Sequence, residues 1–219
     1  MTDDHIAGSR ANRSGMAVRI LRISVRRRRL DSSTAHISTQ ERCRLPALRS
    51  TVMSDAAPAF DSAHFRQVMG HFPTGVTIIT GMAGDQPAGF TIGSFTSVSL
   101  DPPLVGFLPQ VTSDTWAAMA PSAKFCVNVL SAAQGAACWR FAKKGVDDRF
   151  ADVTWHAGAT GSPILDEAIA WMDCEVQEVY TMGDHYFVLG RVLEMSHSAE
   201  DPQPLLFYRG KLGGYTLHD

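Results

Sequence analysis

The sequence predicts a mainly β domain: an antiparallel barrel, closed or nearly closed, with short helices at its periphery. Three observations lead there. Short β-branched and apolar runs recur at regular spacing between turn residues, and two longer runs near the C-terminus answer each other across a tight turn. Neither a G-x-G-x-x-G following a strand nor a G-x-x-x-x-G-K-[ST] loop is present, which disfavours the dinucleotide-binding α/β folds.

The elements follow in order. Asp61 is placed to cap a helix running to about Gly70, with Phe65, Val68 and Met69 at helical spacing. Gly75 to Thr80 is β-branched and reads as a strand; Gly84-Asp85 turns the chain, and Pro87 to Phe95 returns as the second arm of a hairpin. Leu104 to Leu108 reads as a buried strand, Ser113 to Met119 as a short helix and Phe125 to Leu130 as a further strand. Ala132 to Ala142 is predicted helical and is followed by a charged turn, Lys143 to Arg149. In the run from Ala168 to Gln177, residues 168, 170, 172, 174 and 176 are small or apolar and face one way, as alternation in a strand requires. His185 to Met195 pairs with it across the turn Thr181 to Asp184, and Leu205 to Tyr208 is a last short strand.

Charge divides the chain into two regions. Residues 1–52 carry 11 Arg, no Lys and 4 acids, whereas residues 53–219 carry 9 Lys or Arg against 18 acids. The first region, with Arg26 to Arg29 in a row and no sustained periodicity, predicts a disordered basic tail. It reads as a nucleic-acid or membrane-surface arm, as an organelle-targeting peptide, or as upstream sequence outside the functional unit with Met53 as the true start; the last fits best, because Asp3 and Asp4 oppose targeting. Residues 53–219 form the functional domain. Its net charge of −9 argues against nucleic acid as a partner. The four cysteines (Cys43, Cys126, Cys138, Cys174) are scattered without metal-ligand spacing, so no metal site and no disulfide framework is expected, and a reducing cytoplasm fits. No run approaches the ~20 apolar residues of a membrane span, so no membrane association is expected.

The stretch from Pro87 to Pro103 carries most of the functional information. Thr91, Ser94, Thr96, Ser97 and Ser99 are threaded through apolar sequence, Gly89 and Gly93 permit close backbone approach, and no acid appears before Asp101. Uncharged hydroxyls and accessible N–H groups suit a flat, polar-edged, phosphorylated ligand. A hairpin whose hydroxyl residues merely face water is the alternative.

Five ordered blocks carry a resemblance: Phe72 to Thr80, Gly89 to Leu104, Phe125 to Leu130, Gly183 to His185, and Pro204 to Gly210, preceded by Phe65-Arg66. Together, over residues 60–215, they resemble the flavin reductase family that supplies reduced flavin to two-component monooxygenases, including the small components of phenol, hydroxyphenylacetate and steroid-ring hydroxylases. The resemblance implies an FMN-binding split β-barrel, a Greek-key-like antiparallel barrel, assembled as a homodimer with flavin near the subunit interface. It implies hydride transfer from NADH, or NADPH, to FMN or FAD, with flavin held weakly as a substrate. It also implies delivery of the reduced flavin to a separate monooxygenase.

By the same resemblance, Pro87, Ala88, Gly89, Phe90, Thr91 and Ser94 line the flavin ring and ribityl chain, and Leu108, Pro109 and Gln110 continue that wall. Ser97 and Ser99 lie toward the ribityl-phosphate side, and Arg140 and Phe141 reach the phosphate. A guanidinium suits that task, although Arg140 could equally be a solvated cation at a helix end. The nicotinamide positions are Gly93, Ser94, Asp114, Thr115, His185, Phe207, Tyr208, Arg209 and Gly210. For Arg209 a structural ion pair is the alternative, and for His185 a satisfied, partly buried ring, with Asp184 free to fix its tautomer. No side chain is certainly catalytic, because the two cofactors carry the reactive atoms. Two competitors use the same barrel: a non-catalytic flavin- or haem-binding protein, and a pyridoxamine-phosphate-oxidase-like FMN oxidase. The paired Gly183-His185 and Phe207-Gly210 blocks count against the first, and the shortage of cations against the second.

Overall fold

The computed structural model describes residues 60–146, 148–200 and 202–216; the segment 1–52 and Met53, with the readings made of them, lie outside the described residues. The elements in chain order are α1 (Ser62–Met69), β1 (Thr74–Gly75), β2 (Thr77–Ala83), β3 (Gln86–Ile92), β4 (Phe95–Leu100), β5 (Pro103–Phe107), α2 (Asp114–Met119) and β6 (Lys124–Val129). They continue with α3 (Gly135–Ala142), β7 (Trp155–Ala157), β8 (Pro163–Leu165), β9 (Ala170–Met182), β10 (His185–His197), β11 (Leu206–Tyr208) and β12 (Lys211–Gly213).

Seven strands form one antiparallel sheet in the order β3-β2-β6-β9-β10-β5-β4. β3 and β4 are consecutive in the chain yet stand at opposite ends of that order. The barrel is therefore split, open between β3 and β4. The enclosed core gathers Ile79, Ile92, Val105, Phe107, Phe125, Val127, Cys174 and Val188, with Trp116 and Met119 of α2 inserted among them. Phe107 meets Phe125 and Trp116 edge-on, with ring centroids 5.0 Å and 5.5 Å away, the arrangement that aromatic quadrupoles favour. On the opposite face of the sheet, Val76, Ile78, Leu130, Leu165 and Leu205 pack under Cys138 and Phe141 of α3. Ile78 and Ile79 thus serve different cores, which is why β2 is buried continuously from Thr77 to Gly81 instead of alternating.

A buried polar network fastens β8 to the sheet. Asn128 Nδ2 donates to the Ile78 carbonyl (3.2 Å) and to Thr80 Oγ1 (2.9 Å), while its Oδ1 accepts from the Leu165 amide (2.8 Å). Thr80 Oγ1 donates in turn to the Pro163 carbonyl. Nearby, Asp173, fully buried on β9, accepts from the Thr160 amide and hydroxyl, tying the β7–β8 connection to β9.

Three features differ from the sequence reading. The return arm of the first hairpin stops at Ile92 rather than Phe95, and Phe95 opens β4, which pairs with β5. The break falls at Gly93, where a Cβ would lie 2.8 Å from Thr74 Oγ1, and at Ser94, whose hydroxyl engages Leu108. Second, β7, β8 and β12 were not anticipated; each has three residues, too few to show a period. Third, α1 is capped by Asp61 as expected, its carboxylate accepting from the His64 amide, but none of its residues is buried. Phe65, Val68 and Met69 remain about half exposed.

Candidate functional site

A cleft of about 650 Å³ lies beside the split. Phe90, Thr91, Gly93 and Ser94 line it from β3 and the following link, and Leu108, Pro109 and Gln110 from the segment after β5. Asp114 and Thr115 of α2, Phe141 of α3 and His185 at the start of β10 complete the anticipated lining. Pro87, Ala88 and Gly89 line an adjoining hollow of about 680 Å³, which shares Asp114, Thr115 and Arg149 with the cleft.

The remaining anticipated residues lie elsewhere. Ser97 and Ser99 sit on β4 and do not line the cleft. Arg140 pairs with Asp152 at 3.2 Å and lines a different hollow with it. Phe207, Tyr208, Arg209 and Gly210 belong to β11 and its turn into β12, in a separate three-stranded sheet with β1. The Arg209 amide donates to the Gly70 carbonyl, and Tyr208 meets His71 edge-on, so this segment packs beside the end of α1.

The cleft's chemistry follows from where β3 stands. As the first strand of the sheet it pairs only with β2, leaving one edge of its main chain open. The Gly89 carbonyl on that edge accepts from Arg149 Nη1 at 3.0 Å. Main-chain groups alternate in direction along a strand, so the Thr91 N–H points to the same edge. The Thr91 hydroxyl is engaged behind the strand, donating to the Cys138 carbonyl at 2.7 Å. Gly89 is required for this packing: a Cβ there would stand 2.9 Å from the Phe141 ring and 3.0 Å from the Ile79 carbonyl.

On the opposite wall, Gln110 and His185 form an isolated β-bridge, the Val111 amide donates to the Asp184 carbonyl, and the Tyr186 amide donates to the Pro109 carbonyl. These bonds hold residues 109–111 against the start of β10. His185 Nδ1 lies 2.8 Å from Asp184 Oδ1, which assigns the Nδ1 proton to that contact and leaves Nε2 available. The hydrogen bond and charge of His185 hold the Asp184 carboxyl below its usual range.

Lys144 and Arg149 also line the cleft and were not singled out from the sequence. Both fall in the segment read only as a charged turn. The one available signal was that three of the nine cations in residues 53–219 (Lys143, Lys144, Arg149) crowd into seven positions. Among the described residues, no group of three or more His, Cys, Asp or Glu could hold a metal ion.

An open main-chain edge, apolar walls at Phe90, Leu108 and Pro109, and a cationic end suit a planar ligand with a polar rim and an anionic tail. The fold and cleft define a split-barrel protein of the cofactor-binding type. Residues 69–216 match the family model described as a flavin reductase like domain. A flavin reductase of Pseudomonas putida is 47% identical over 159 residues, covering 72% of this chain and 92% of that protein. The reductase subunit HsaB of a flavin-dependent monooxygenase from Rhodococcus jostii RHA1 is 46% identical, with 73% and 80% covered. Among solved structures, the Streptomyces globisporus NADH:FAD oxidoreductase SgcE6, in complex with NAD and FAD fragments, superposes with a TM-score of 0.67 at 36% identity, covering 71% of this chain and 93% of that one. The chain belongs to the flavin reductase family.

Proposed function

We propose that this protein is an NADH-dependent flavin reductase that transfers hydride to FMN or FAD and supplies the reduced flavin to a separate monooxygenase. The observation that carries the reading is the cleft itself, which gathers anticipated flavin and nicotinamide residues from four separate parts of the chain. The relatives' names supply the activity and the partner class. A bound flavin contributes the hydride-accepting N5, and NADH the hydride at C4 of its nicotinamide. The chain's own groups bind and orient. The β3 edge offers amide donors to the polar rim of the ring, Phe90, Leu108 and Pro109 exclude water from its faces, and His185, fixed by Asp184, presents Nε2 to the nicotinamide. No side chain need exchange a proton with the reacting atoms.

Two finer assignments belong to the same proposal. The protein works as a two-fold dimer. The support is the uncovered apolar surface of α1 and its flanks, where Phe60, Phe65, Val68, Met69 and Phe72 are all at least half exposed. The segment Phe207 to Gly210 lies beside that surface and outside its own chain's cleft, so we assign its nicotinamide contacts to the partner's cleft. The compartment is the cytoplasm, in keeping with the free, buried Cys126, Cys138 and Cys174. Separately, no helix among the described residues is long and apolar enough to cross a membrane.

The reading is tested by mixing purified protein with NADH and substoichiometric FMN, FAD or riboflavin in air. Continuous NADH consumption is expected, because oxygen reoxidises released flavin. Flavin binding without NADH consumption would support the non-catalytic competitor instead.

A further inference from the structure

Arg149 stands where the cleft and the adjoining hollow meet. The run from Pro87 to Thr91, anticipated for the flavin, is divided there: Pro87, Ala88 and Gly89 line the hollow, Phe90 and Thr91 line the cleft, and Arg149 lines both. Its Nη1 donates to the Gly89 carbonyl of β3 at 3.0 Å and to Thr115 Oγ1 of α2 at 2.7 Å, and its Nη2 donates to the Lys143 carbonyl at 3.0 Å. Gly89 and Thr115 are both residues expected to face a ligand, and the Gly89 carbonyl lies on the open main-chain edge of β3. The guanidinium thus sits in the middle of the edge that a planar ligand would use. Its bonding is incomplete, because Nε is buried and has no hydrogen-bond partner among the described residues. A buried donor without an acceptor keeps its desolvation penalty, which Arg149 sheds on turning toward water. A ligand can offer the Gly89 carbonyl a replacement donor. The rim of an isoalloxazine ring carries an N–H at N3 between two carbonyls, and that N–H competes with Nη1 for the same oxygen.

We propose that Arg149 is a built-in competitor for the flavin's place on β3. It holds the Gly89 carbonyl, yields it when the ring arrives, and by this exchange keeps flavin affinity low enough for reduced flavin to leave. Arg149 acts on affinity alone: apparent binding is the intrinsic binding reduced by the fraction of molecules in which the guanidinium has moved aside. The inference rests on the flavin reading of the cleft. Its test is a binding measurement without NADH, so failure of turnover and failure of this assignment are separate results.

Flavin fluorescence titration gives the Kd of riboflavin and of FMN for the wild type, Arg149→Met and Arg149→Lys, with folding checked by thermal melts. Arg149→Met keeps an unbranched apolar stem and loses all three bonds. It should lower the Kd of riboflavin, which is uncharged, about tenfold, the size of one hydrogen bond to a charged group. Arg149→Lys keeps the charge and cannot span Gly89 and Thr115 together. It should lower the Kd of both flavins several-fold and slow FMN dissociation to match, and it decides the matter alone if Arg149→Met does not fold. A residue that braced the cleft or contacted the flavin would show the opposite sign. Weaker or unchanged binding in the folded variants, beside a wild type that binds flavin, would overturn the proposal. Absence of flavin binding in all three proteins would overturn the flavin reading, and this inference with it.

Discussion

The Ser94 hydroxyl and the Leu108 main chain hold each other across the end of the β4–β5 pair. Ser94 Oγ donates to the Leu108 carbonyl at 3.2 Å and accepts from the Leu108 amide at 3.3 Å. The backbone ladder ends one residue earlier, at Phe95 opposite Phe107, and the side chain continues it for one more step. The donor of Ser94 is therefore already committed to the protein, and a ligand meets its remaining lone pair and the shape it imposes on the wall.

Ser94→Ala should cost about 1 kcal/mol of stability, because both bonds are exposed and water replaces them. It should raise the flavin KM several-fold with a smaller effect on kcat, since the wall loosens without any loss of reacting groups. Thermal melts and steady-state kinetics measure the two effects. Wild-type values in both would mean that the contact does not shape the cleft.

The Asp184–His185 pair predicts a pH signature. The folded Asp184 carboxyl titrates below its ordinary value, so the pair's contribution is present above the usual carboxylate range, near 3.9, and is lost as pH falls through the lower folded value. NMR titration of Asp184 should show the depression in the wild type and its disappearance in His185→Ala. The same variant should raise the NADH KM more than the flavin KM. The reverse order would interchange the two ligands.

Asn128 is a structural test. Replacing it with Ala would leave the Leu165 amide without its acceptor in a fully buried setting and remove the Nδ2 bonds to the Ile78 carbonyl and Thr80 Oγ1, while Thr80 keeps its own donation to the Pro163 carbonyl. A loss of about 2–4 kcal/mol is expected, measured by denaturant unfolding. A change below about 1 kcal/mol would mean that the Asn128 bonds contribute little to holding β8.

The three thiols among the described residues, Cys126, Cys138 and Cys174, should be inert. Burial, followed by the charge of Asp173, pushes Cys174 up to about 12, and the same order of causes raises Cys126. Burial also raises Cys138. Under native conditions at pH 8, none of the three should react with a thiol reagent on the timescale on which unfolded protein reacts fully.

Much of this was legible in the sequence, for identifiable reasons. β2, β6, β9 and β10 announce themselves because buried β-branched runs and long alternation leave a strong pattern. Asp61 and Ser113 announce helix starts, because a side-chain oxygen must satisfy free amides there. The parting of β3 from β4 was hidden, since Gly93-Ser94 interrupts an otherwise continuous strand composition and only tertiary contacts with Thr74 and Leu108 separate the two. Arg149 was hidden for a related reason. Its role lies in acceptors 60 and 34 residues away along the chain, which no local pattern discloses. Arg140 was assigned to the phosphate by the resemblance, while its partner Asp152 stands on a connection without a readable period.

The central claim is that the cleft brings a flavin and a nicotinamide together so that hydride passes directly between them. An anaerobic titration of flavin-loaded protein with NADH, following flavin and nicotinamide absorbance together, tests it most directly. The account predicts one flavin bleached for each NADH consumed, and deuterium from C4-labelled NADH lost from the nicotinamide as the flavin is reduced. Flavin that keeps its oxidised spectrum while NADH remains unconsumed would contradict it.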